Sequence, residues 1–461
     1  MDCPDAARIS SRRRFMRRVL GWSALALTLP GALAVKGAGR GRKVIVVGAG
    51  LSGLAAAATL KASDFEVIVL ESRDRLGGRV FTDRSIGNPV ELGANWIQGV
   101  RGNPLMEIAK RSAARPVVTD DDSIKVFDAK AKAVSEDKLD RAETDYDELL
   151  ELIEEKTAKL DDDITLAAAI HEHRAKAVKD PLMVWLLGKR MEWEAGGPIE
   201  ELSAWEWHGG EAFSGGDAVI PQGFDSLVNY LAQGIDVRLK QQVTHIAHDS
   251  KGVTVKTAKE ELKADFVIVT LPLGVLQNHA VTFEPALTAG REEAIRSIGV
   301  GHVNTVAMVW DVPFWDLQTQ FYGSVSPEKG RYPVFFNCRT AGRANALLTW
   351  GVGTHGKRME SQTDKQIQED VLEQLNQIFP GRVTPPTRTF ITRWGKDPHS
   401  MGSWSFPTVA TTRAHVSELG EPIANRAFFA GEHTSLDHRG TAHGAYMTGL
   451  REARRILAFN A

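Results

Sequence analysis

The sequence predicts an α/β fold in which a parallel-sheet domain is interrupted twice by a second domain of α+β type. Two observations predict the first domain: a glycine-rich loop directly after a short β-branched strand, and a second strand that ends in an acid about 20 residues further on. A third observation predicts the second domain, namely a polar helical segment after residue 110 that gives way to alternating strand patterns. The chain has 461 residues, which is enough for two domains.

The glycine-rich loop has the order of elements that binds the pyrophosphate of a dinucleotide. The strand KVIVV leads into the loop GAGLSG, an alanine-rich helix and the strand EVIVL, which ends at Glu71. Gly48, Gly50 and Gly53 let backbone N–H groups and the positive end of the helix approach a pyrophosphate. Glu71 is then placed to accept hydrogen bonds from ribose hydroxyls.

The remaining chain supplies the second domain and the other strands of the first. The stretch 111–215 is predicted to be helical and polar, with one helix N-capped after Asp163. Strand patterns return at 237–258 and at ADFVIVTLPLGVL, and later at TVAMVW and NALLTWGV. We assign 1–34 to a signal peptide, 42–110, 216–300 and 411–461 to the dinucleotide-binding domain, and 111–215 and 301–410 to the substrate-binding domain.

Charge and cysteine content exclude several classes of function. The formal net charge is −2, but the segment 111–217 holds 14 Lys and Arg against 26 Asp and Glu. This distribution disfavours a nucleic-acid partner. It fits either solvated helix faces or an acidic domain that attracts cationic substrates. Without Cys3 in the signal region, Cys338 is alone and forms no internal disulfide, and no cysteine or histidine spacing indicates a metal site.

The N-terminus carries the pattern of an export signal. Arg12 and Arg13 lie in an S-R-R-x-F pattern that resembles the bacterial twin-arginine signal, and an apolar run follows that ends in Ala32-Leu33-Ala34. We therefore expect export by the twin-arginine machinery to a periplasmic or lumenal location, with an uncleaved anchor as the alternative. A diffusing nucleotide co-substrate is useless there, so the signal and the glycine-rich loop together predict a tightly held redox cofactor.

Four further stretches resemble the flavin-dependent amine oxidases, in particular the branch of polyamine oxidases and lysine-specific histone demethylases. They are ESRDRLGGRVFT, VELGANWIQG, TLPLGVL and FFAGEHTSLDHRGTAHGAYMTGLREA. The resemblance extends over nearly all of 43–457. It implies the amine oxidase architecture, a Rossmann-type FAD-binding domain with an interleaved α+β substrate domain.

The resemblance implies that FAD is bound without a covalent link along its whole length. Ser403 stands where monoamine oxidases carry the flavin-linked cysteine. The implied FAD-binding residues are Gly48, Gly50, Ser52, Gly53 and Gly78 at the pyrophosphate loop, Glu71 at the ribose, Arg73 and Arg79 at the phosphates, Val243 at the adenine, and Asn95, Trp96, Trp394, Glu432, Thr441 and Ala442 toward the flavin.

The implied reaction is hydride transfer from the carbon beside an amine nitrogen to flavin N5, which gives an imine that hydrolyses to aldehyde and amine. Trp404 takes the position of an aromatic wall of the amine site, and Thr441 replaces a tyrosine that would form the second wall. Gln98 and Gly196 stand at two positions where plant polyamine oxidases aim carboxylates at the substrate. Substitute acids are available at Glu194, Glu200, Glu201, Glu206 and Asp217.

Thr305 stands where the family commonly has a lysine that assists reaction with O2. We therefore expect slow oxidation by O2, with a quinone or cytochrome as the alternative acceptor. The expected substrate is a small cationic amine, either a polyamine such as spermidine or spermine or another primary or secondary amine. Two alternatives are a low-turnover flavin-carrying binding protein and an L-amino acid oxidase, which needs a buried arginine such as Arg339 or Arg393.

Overall fold

The computed structural model describes residues 37–207 and 210–459, so the predicted signal peptide lies outside the described residues. A five-stranded, fully parallel sheet forms the centre of the first domain. Its strands, in spatial order, are Ala427–Phe429, Phe266–Val269, Lys43–Val47, Glu66–Leu70 and Asp236–Arg238. The predicted bounds of the strands at 43–47 and 66–70 are confirmed.

The two ends of the described chain meet on one face of this sheet. Helix Leu51–Lys61 packs against helix Ala442–Phe459 so closely that a Cβ added at Gly449 would lie 2.0 Å from the Ser52 carbonyl oxygen. Side chains from both helices and from the sheet form one apolar cluster. The glycine-rich loop is thus held in place by the C-terminal helix.

A six-stranded sheet forms the centre of the second domain. Its strands, in order, are Arg388–Ile391, Asn304–Val309, Ala346–Gly351, Val334–Asn337, Phe321–Ser324 and Ile124–Phe127, and only the last of these pairs in parallel. Both faces of the strand Asn304–Val309 are buried. Ala307 and Val309 face one apolar cluster, whereas Val306 and Met308 face another that includes helix Asp364–Ile378.

Smaller sheets complete the fold. A four-stranded sheet has the order Glu261–Ala264, Val253–Thr257, Val243–His248 and Thr282–Glu284. A three-stranded sheet joins Trp96–Ile97, Ala218–Val219 and Val117–Val118. Two-stranded pairs join Ile298–Val300 to Ser405–Pro407 and Thr82–Asp83 to Val90–Glu91.

The other helices cover these sheets. They are the α-helices Pro104–Arg111, Glu136–Thr157, Leu166–Arg174, Pro181–Leu186, Trp193–Ala195, Asp225–Leu231, Leu273–Gln277, Ala289–Ser297, Gly353–Met359 and Arg413–Gly420, the π-helix Leu187–Glu192, and the 3-10 helices Ala177–Lys179, Cys338–Ala341 and Glu432–Thr434. Among the described residues, no helix has both the length and the apolarity needed to cross a bilayer.

The predictions for the segment 111–215 are confirmed only in part. The segment is not all helical, because Val117–Val118 and Ile124–Phe127 are strands that pair with distant parts of the chain. The helix predicted to follow Asp163 begins at Leu166, and Thr165 caps it by accepting from the Ala168 N–H. The carboxylate of Asp163 instead accepts from Ser203 Oγ, so a long-range contact displaces the local cap.

Candidate functional site

The glycine-rich loop has the backbone geometry that its sequence predicts. Gly48 has φ +106°, a conformation that favours glycine. A Cβ at Gly53 would lie 2.0 Å from the Gly48 carbonyl oxygen, so only glycine fits at position 53. Gly50 is the extended N-cap residue of helix Leu51–Lys61 and provides no side-chain cap. The first N–H groups of the helix, including that of Ser52, therefore point toward an open loop.

The Glu71 carboxylate fixes this loop from the end of the neighbouring strand. It is buried, and its two oxygens accept from the Ala49 N–H at 2.8 Å and the Arg73 N–H at 2.8 Å. The Glu71 carbonyl also accepts from the Gln241 N–H, two residues before Val243. The structure therefore places the predicted ribose acid and the predicted adenine contact beside each other.

The segment after Glu71 crosses back over the loop. Gly77 pairs with Gly50, and Gly78 has φ +59°. Arg73 is engaged by Asp397, to which it donates at 2.7 and 3.0 Å. The assignment of Arg73 to a phosphate stays a prediction, and its guanidinium already has a carboxylate partner.

Arg79, which is partly buried, and Glu432, which is buried, form a link between the two ends of the chain. Arg79 Nη1 donates to Glu432 Oε1 at 2.8 Å and to the Ser403 carbonyl at 2.8 Å. Glu432 also accepts from Ser405 Oγ at 2.6 Å and from the Gly440 N–H at 2.9 Å. Burial alone would raise the pKa of Glu432, but the charge of Arg79 and these hydrogen bonds hold that pKa below its ordinary value.

The residues predicted at the flavin end begin helix Ala442–Phe459. Thr441 Oγ1 accepts from the Gly444 N–H at 2.9 Å and so caps this helix. The same hydroxyl donates to the His438 carbonyl at 2.8 Å. The Ala442 N–H, in the first turn of the helix, lies at a terminus that favours a partially negative group.

Asn95 lies in a buried polar network that sequence reasoning missed. Arg343 donates to Asn95 Oδ1 at 2.8 Å and to the Ile220 carbonyl at 2.6 Å, and it lies 3.6 Å from Glu91. Burial raises the pKa of Glu91 to about 7, against the opposing charge of Arg343. Among residues 37–207 and 210–459, the buried Asn95 Nδ2 has no hydrogen-bond partner, so it is a donor available to a bound group.

Trp96 belongs to an aromatic cluster that we call the tryptophan cluster: Trp96, Trp193, Trp350 and Phe336. Trp96 contacts the other three rings at centroid distances of 5.4 to 5.7 Å, and Trp193 stacks on Trp350 at 4.6 Å. Trp193 directly follows the π-helix Leu187–Glu192, a helix type that is frequent at functional sites. Spacing alone did not reveal Trp193 or Trp350, because long-range packing brings both rings to Trp96.

The indole of Trp404 lies directly against Gly196. A Cβ at Gly196 would lie 2.2 Å from Trp404 Nε1, and Gly196 has φ +88°. The indole of Trp404 thus fills the volume that a side chain at position 196 would need. Trp404 also packs on the apolar cluster that holds the tryptophan cluster.

Thr305 and Trp350 are cross-strand partners. Because side chains alternate along a strand, Thr305 shares the face of Ala307 and points toward the tryptophan cluster. Its N–H donates to Thr392 Oγ1 at 2.8 Å. The fold therefore brings Thr305, which stands where the family commonly has a lysine, to the predicted aromatic site.

Trp394 is positioned by Asn304, the residue before Thr305. Asn304 Oδ1 accepts from the Trp394 N–H at 2.8 Å, and Asn304 Nδ2 donates to Glu360 at 2.8 Å. Glu360 in turn contacts His302 Nδ1 at 3.1 Å. Sequence reasoning missed this network, since Glu360 is 56 residues from Asn304 and 58 residues from His302.

Gln98 is exposed, unlike the residues around it. Its carbonyl accepts from Asn103 Nδ2 at 2.9 Å. Of the substitute acids, Asp217 accepts from the Gly99 N–H at 2.9 Å, and Glu200 pairs with Lys329 at 2.7 Å. These two carboxylates are thus already engaged by groups of the protein.

The described residues fit an FAD molecule. The glycine-rich loop leaves room for a pyrophosphate, the uncapped helix N-terminus favours its charge, and Asn95 Nδ2 is an unpartnered donor beside the tryptophan cluster. An apolar, tryptophan-lined space adjoins this path. Fold and site together define a flavin-dependent oxidoreductase built from a dinucleotide-binding domain and an interleaved second domain.

Comparison with known proteins identifies the family. The family model described as flavin containing amine oxidoreductase matches residues 51–457. Polyamine oxidase 4 of Oryza sativa subsp. japonica is 35% identical over 437 residues, covering 90% of this chain and 89% of the relative. Lysine-specific histone demethylase 1 homolog 2 of Arabidopsis thaliana is 33% identical over 90% of this chain and 58% of the relative. The chain belongs to the flavin-containing amine oxidase family.

The solved structure of wild-type putrescine oxidase bound to putrescine has a TM-score of 0.77 at 18% identity and covers 90% of this chain and 99% of that chain. This likeness confirms the predicted fold, a FAD-binding domain with an interleaved substrate domain. The protein is an FAD-dependent amine oxidase that holds its cofactor non-covalently. Ser403, at the predicted linkage position, has no thiol, and Cys338 is buried elsewhere.

Proposed function

We propose that the protein oxidises a primary or secondary amine, of which polyamines are one candidate class, at the space bounded by the tryptophan cluster and Trp404. One observation carries this proposal: Thr305 and Trp350 are cross-strand partners, and the Trp350 ring contacts Trp96, the residue after Asn95, so an apolar wall adjoins the predicted flavin position. FAD supplies the hydride acceptor when it is bound.

The apolar wall favours the neutral form of the amine. Burial against indole and phenyl rings disfavours an ammonium charge, so it lowers the pKa of a bound amine and frees the nitrogen lone pair. The lone pair assists the departure of hydride from the adjacent carbon. Indole faces also attract the ammonium form as it enters. The chain thus selects and desolvates the amine. It also orients the reacting C–H bond, and this positioning contributes to catalysis.

An anaerobic substrate panel tests this function. Holoenzyme mixed with putrescine, spermidine, spermine, tyramine or histamine is expected to lose its visible flavin absorbance with at least one of them. Trp404→Ala should slow that reduction by about 100-fold, because a small displacement of the reacting carbon is costly. Val312→Ala, at a side chain that is 77% exposed, is the matched control and should leave the rate unchanged. Flavin that stays oxidised with every amine would favour the low-turnover binding protein instead.

We also propose that the protein is exported with FAD already bound. The proposal is supported by the arginine pair in residues 1–34 and by a cofactor site that draws on both ends of the chain, which needs a folded protein. Replacing Arg12 and Arg13 together by lysine should leave the holoenzyme in the cytoplasm of a bacterial host. Appearance of that variant in the periplasmic fraction at the level of the parent would contradict the proposal.

A further inference from the structure

Arg343 is a buried arginine that connects two neighbouring strands at one end of their pairing. Strand Trp96–Ile97 pairs antiparallel with strand Ala218–Val219. Asn95 precedes the first strand and Ile220 follows the second, so both residues lie at the same end of the pair. Arg343 Nη1 donates to Asn95 Oδ1 at 2.8 Å, and Nη2 of the same guanidinium donates to the Ile220 carbonyl at 2.6 Å. One side chain thus bridges the two strands beside the predicted amine site.

Arg343 belongs to a segment of the second domain that reaches Trp96 by two routes. Strand Val334–Asn337 of the six-stranded sheet runs directly into the 3-10 helix Cys338–Ala341, and Arg343 follows this helix. Phe336 in the strand packs against the Trp96 ring, with centroids 5.4 Å apart. The aromatic contact and the guanidinium therefore tie the same short segment to the strand that carries Trp96.

Burial and charge hold the guanidinium in this position. The side chains of Arg343 and Glu91 are both 0% exposed, and their nearest charged atoms lie 3.6 Å apart. Glu91 is itself fixed, since it accepts from Thr82 Oγ1 at 2.7 Å and from the Phe224 N–H at 2.8 Å. A buried cation cannot leave its counter-charge without a large desolvation cost. Arg343 therefore has one well-defined position, unlike an arginine at the surface.

We propose that Arg343 is a positioning residue for amine oxidation: through Asn95 it fixes the strand that carries Trp96, and with it the position of the indole against the bound amine. The aromatic contacts of Trp96 alone are permissive, because ring pairs are favourable over centroid distances of about 4.5 to 7 Å. The two hydrogen bonds of Arg343 restrict the backbone beside the ring far more narrowly. The inference rests on the proposed function, because it assumes that the amine binds against the tryptophan cluster.

Arg343 contributes placement more than stability. A buried ion pair such as Glu91 with Arg343 adds little net stability, because desolvation offsets the attraction between the charges. A planar guanidinium, however, donates in fixed directions, so it connects two acceptors that an apolar side chain of similar size cannot connect. A displacement of about 1 Å can slow a catalysed reaction by about 100-fold. Even a small shift of Trp96 should therefore be visible in the rate of flavin reduction.

Two variants remove the connection, and a third is the matched control. Arg343→Met removes the guanidinium, whereas Asn95→Leu removes only one of its acceptors. Arg291→Met is the control, because Arg291 is 2% exposed and also donates to two backbone carbonyls, but it packs on Phe429 rather than on the tryptophan cluster. All three variants should lose stability, since each leaves buried polar groups unpaired. Each is therefore measured below its own unfolding transition.

Anaerobic stopped-flow reduction by the most reactive amine gives the kinetic test, with rates expressed per bound flavin. The limiting rate should fall about tenfold or more in Arg343→Met and in Asn95→Leu, whereas Arg291→Met should keep the parent rate. Because Arg343 acts through Asn95, the double variant should be no slower than Arg343→Met alone. An unchanged rate in Arg343→Met, or effects that multiply in the double variant, would overturn the inference. If Arg343→Met does not fold, the rate of Asn95→Leu decides in the same way.

A spectroscopic measurement separates this inference from the proposed function. Near-ultraviolet circular dichroism reports the fixed packing of aromatic rings and needs no turnover. The part of the holoenzyme spectrum that disappears in Trp96→Phe should also be reduced in Arg343→Met and should persist in Arg291→Met. If no amine reduces the parent flavin, the proposed function fails, while this comparison still decides whether Arg343 fixes Trp96. A Trp96 signal as strong in Arg343→Met as in the parent contradicts the inference.

Discussion

Replacing Glu432 by alanine is expected to give a protein that loses FAD during purification and is less stable by about 3 kcal/mol. Glu432 is 4% exposed, and its loss leaves Ser405 Oγ and the Gly440 N–H without this acceptor and takes the carboxylate from Arg79, which keeps only its bond to the Ser403 carbonyl. Leaving such buried groups unpaired carries the full desolvation cost. Flavin absorbance per protein and urea denaturation measure the two effects.

Glu66→Ala is the matched control for this prediction. Glu66 also pairs with a cation, Lys43, at 2.7 Å, but its side chain is 64% exposed. Exposed pairs contribute about 0.5 kcal/mol, so this variant should keep its FAD and nearly all of its stability. Equal losses in Glu432→Ala and Glu66→Ala would show that the link between the chain ends is unimportant.

The pH dependence of the Glu432 contribution follows from the direction of its pKa shift. The folded-state pKa of Glu432 lies below the ordinary value, so its contribution is full above that ordinary value and is lost as the pH falls through the folded pKa. The stability difference between the parent and Glu432→Ala should therefore be constant near neutral pH. It should shrink only at acidic pH, below the pKa of an ordinary glutamate.

His433 makes a separate contribution to the loss of folding stability at acidic pH. Burial lowers the pKa of His433 from 6.5 to about 4, so the folded state keeps this ring neutral. Because the unfolded state binds the proton first, stability should already fall as the pH drops from 6.5 toward 4. This part of the profile belongs to the imidazole and should persist in Glu432→Ala.

The dinucleotide-binding half of the fold was predictable because its signals are local. The strand KVIVV, the loop GAGLSG and the acid at Glu71 lie within 30 residues, and each step has a steric or electrostatic reason that a single stretch of sequence reveals. Gly53 shows this best, since the contact that requires glycine is with Gly48, five residues away.

The second domain was less predictable because its decisive contacts are long-range. Trp350 reaches Thr305 through strand pairing, and Arg343 reaches Asn95 from 248 positions along the chain. Neither residue stands in a motif. The failed cap at Asp163 has the same cause, since Ser203 competes successfully for the carboxylate. Pattern arguments describe a residue's neighbours along the chain, whereas these side chains are determined by neighbours in space.

Thr305→Lys is expected to speed oxidation of the reduced enzyme by O2 about tenfold or more. Thr305 is 3% exposed and faces Trp350, so the parent has an uncharged group where a cation would favour electron transfer to oxygen. The backbone bonds of Thr305 with Thr392 do not involve the Thr305 side chain, so the change leaves these bonds in place. The lysine stem can lie along the indoles, which also favour an ammonium.

Thr305→Met is the control, because methionine is similarly long and unbranched but has no charge. Stopped-flow mixing of anaerobically reduced enzyme with aerated buffer gives the rate for all three proteins. If the parent reacts slowly with O2 because it has no positive charge at position 305, Thr305→Lys should be reoxidised quickly and both the parent and Thr305→Met slowly. The slow parent should then be reoxidised faster by an added quinone or cytochrome than by air. A parent as fast with O2 as Thr305→Lys would contradict this, and a residue other than 305 would then control the reaction with oxygen.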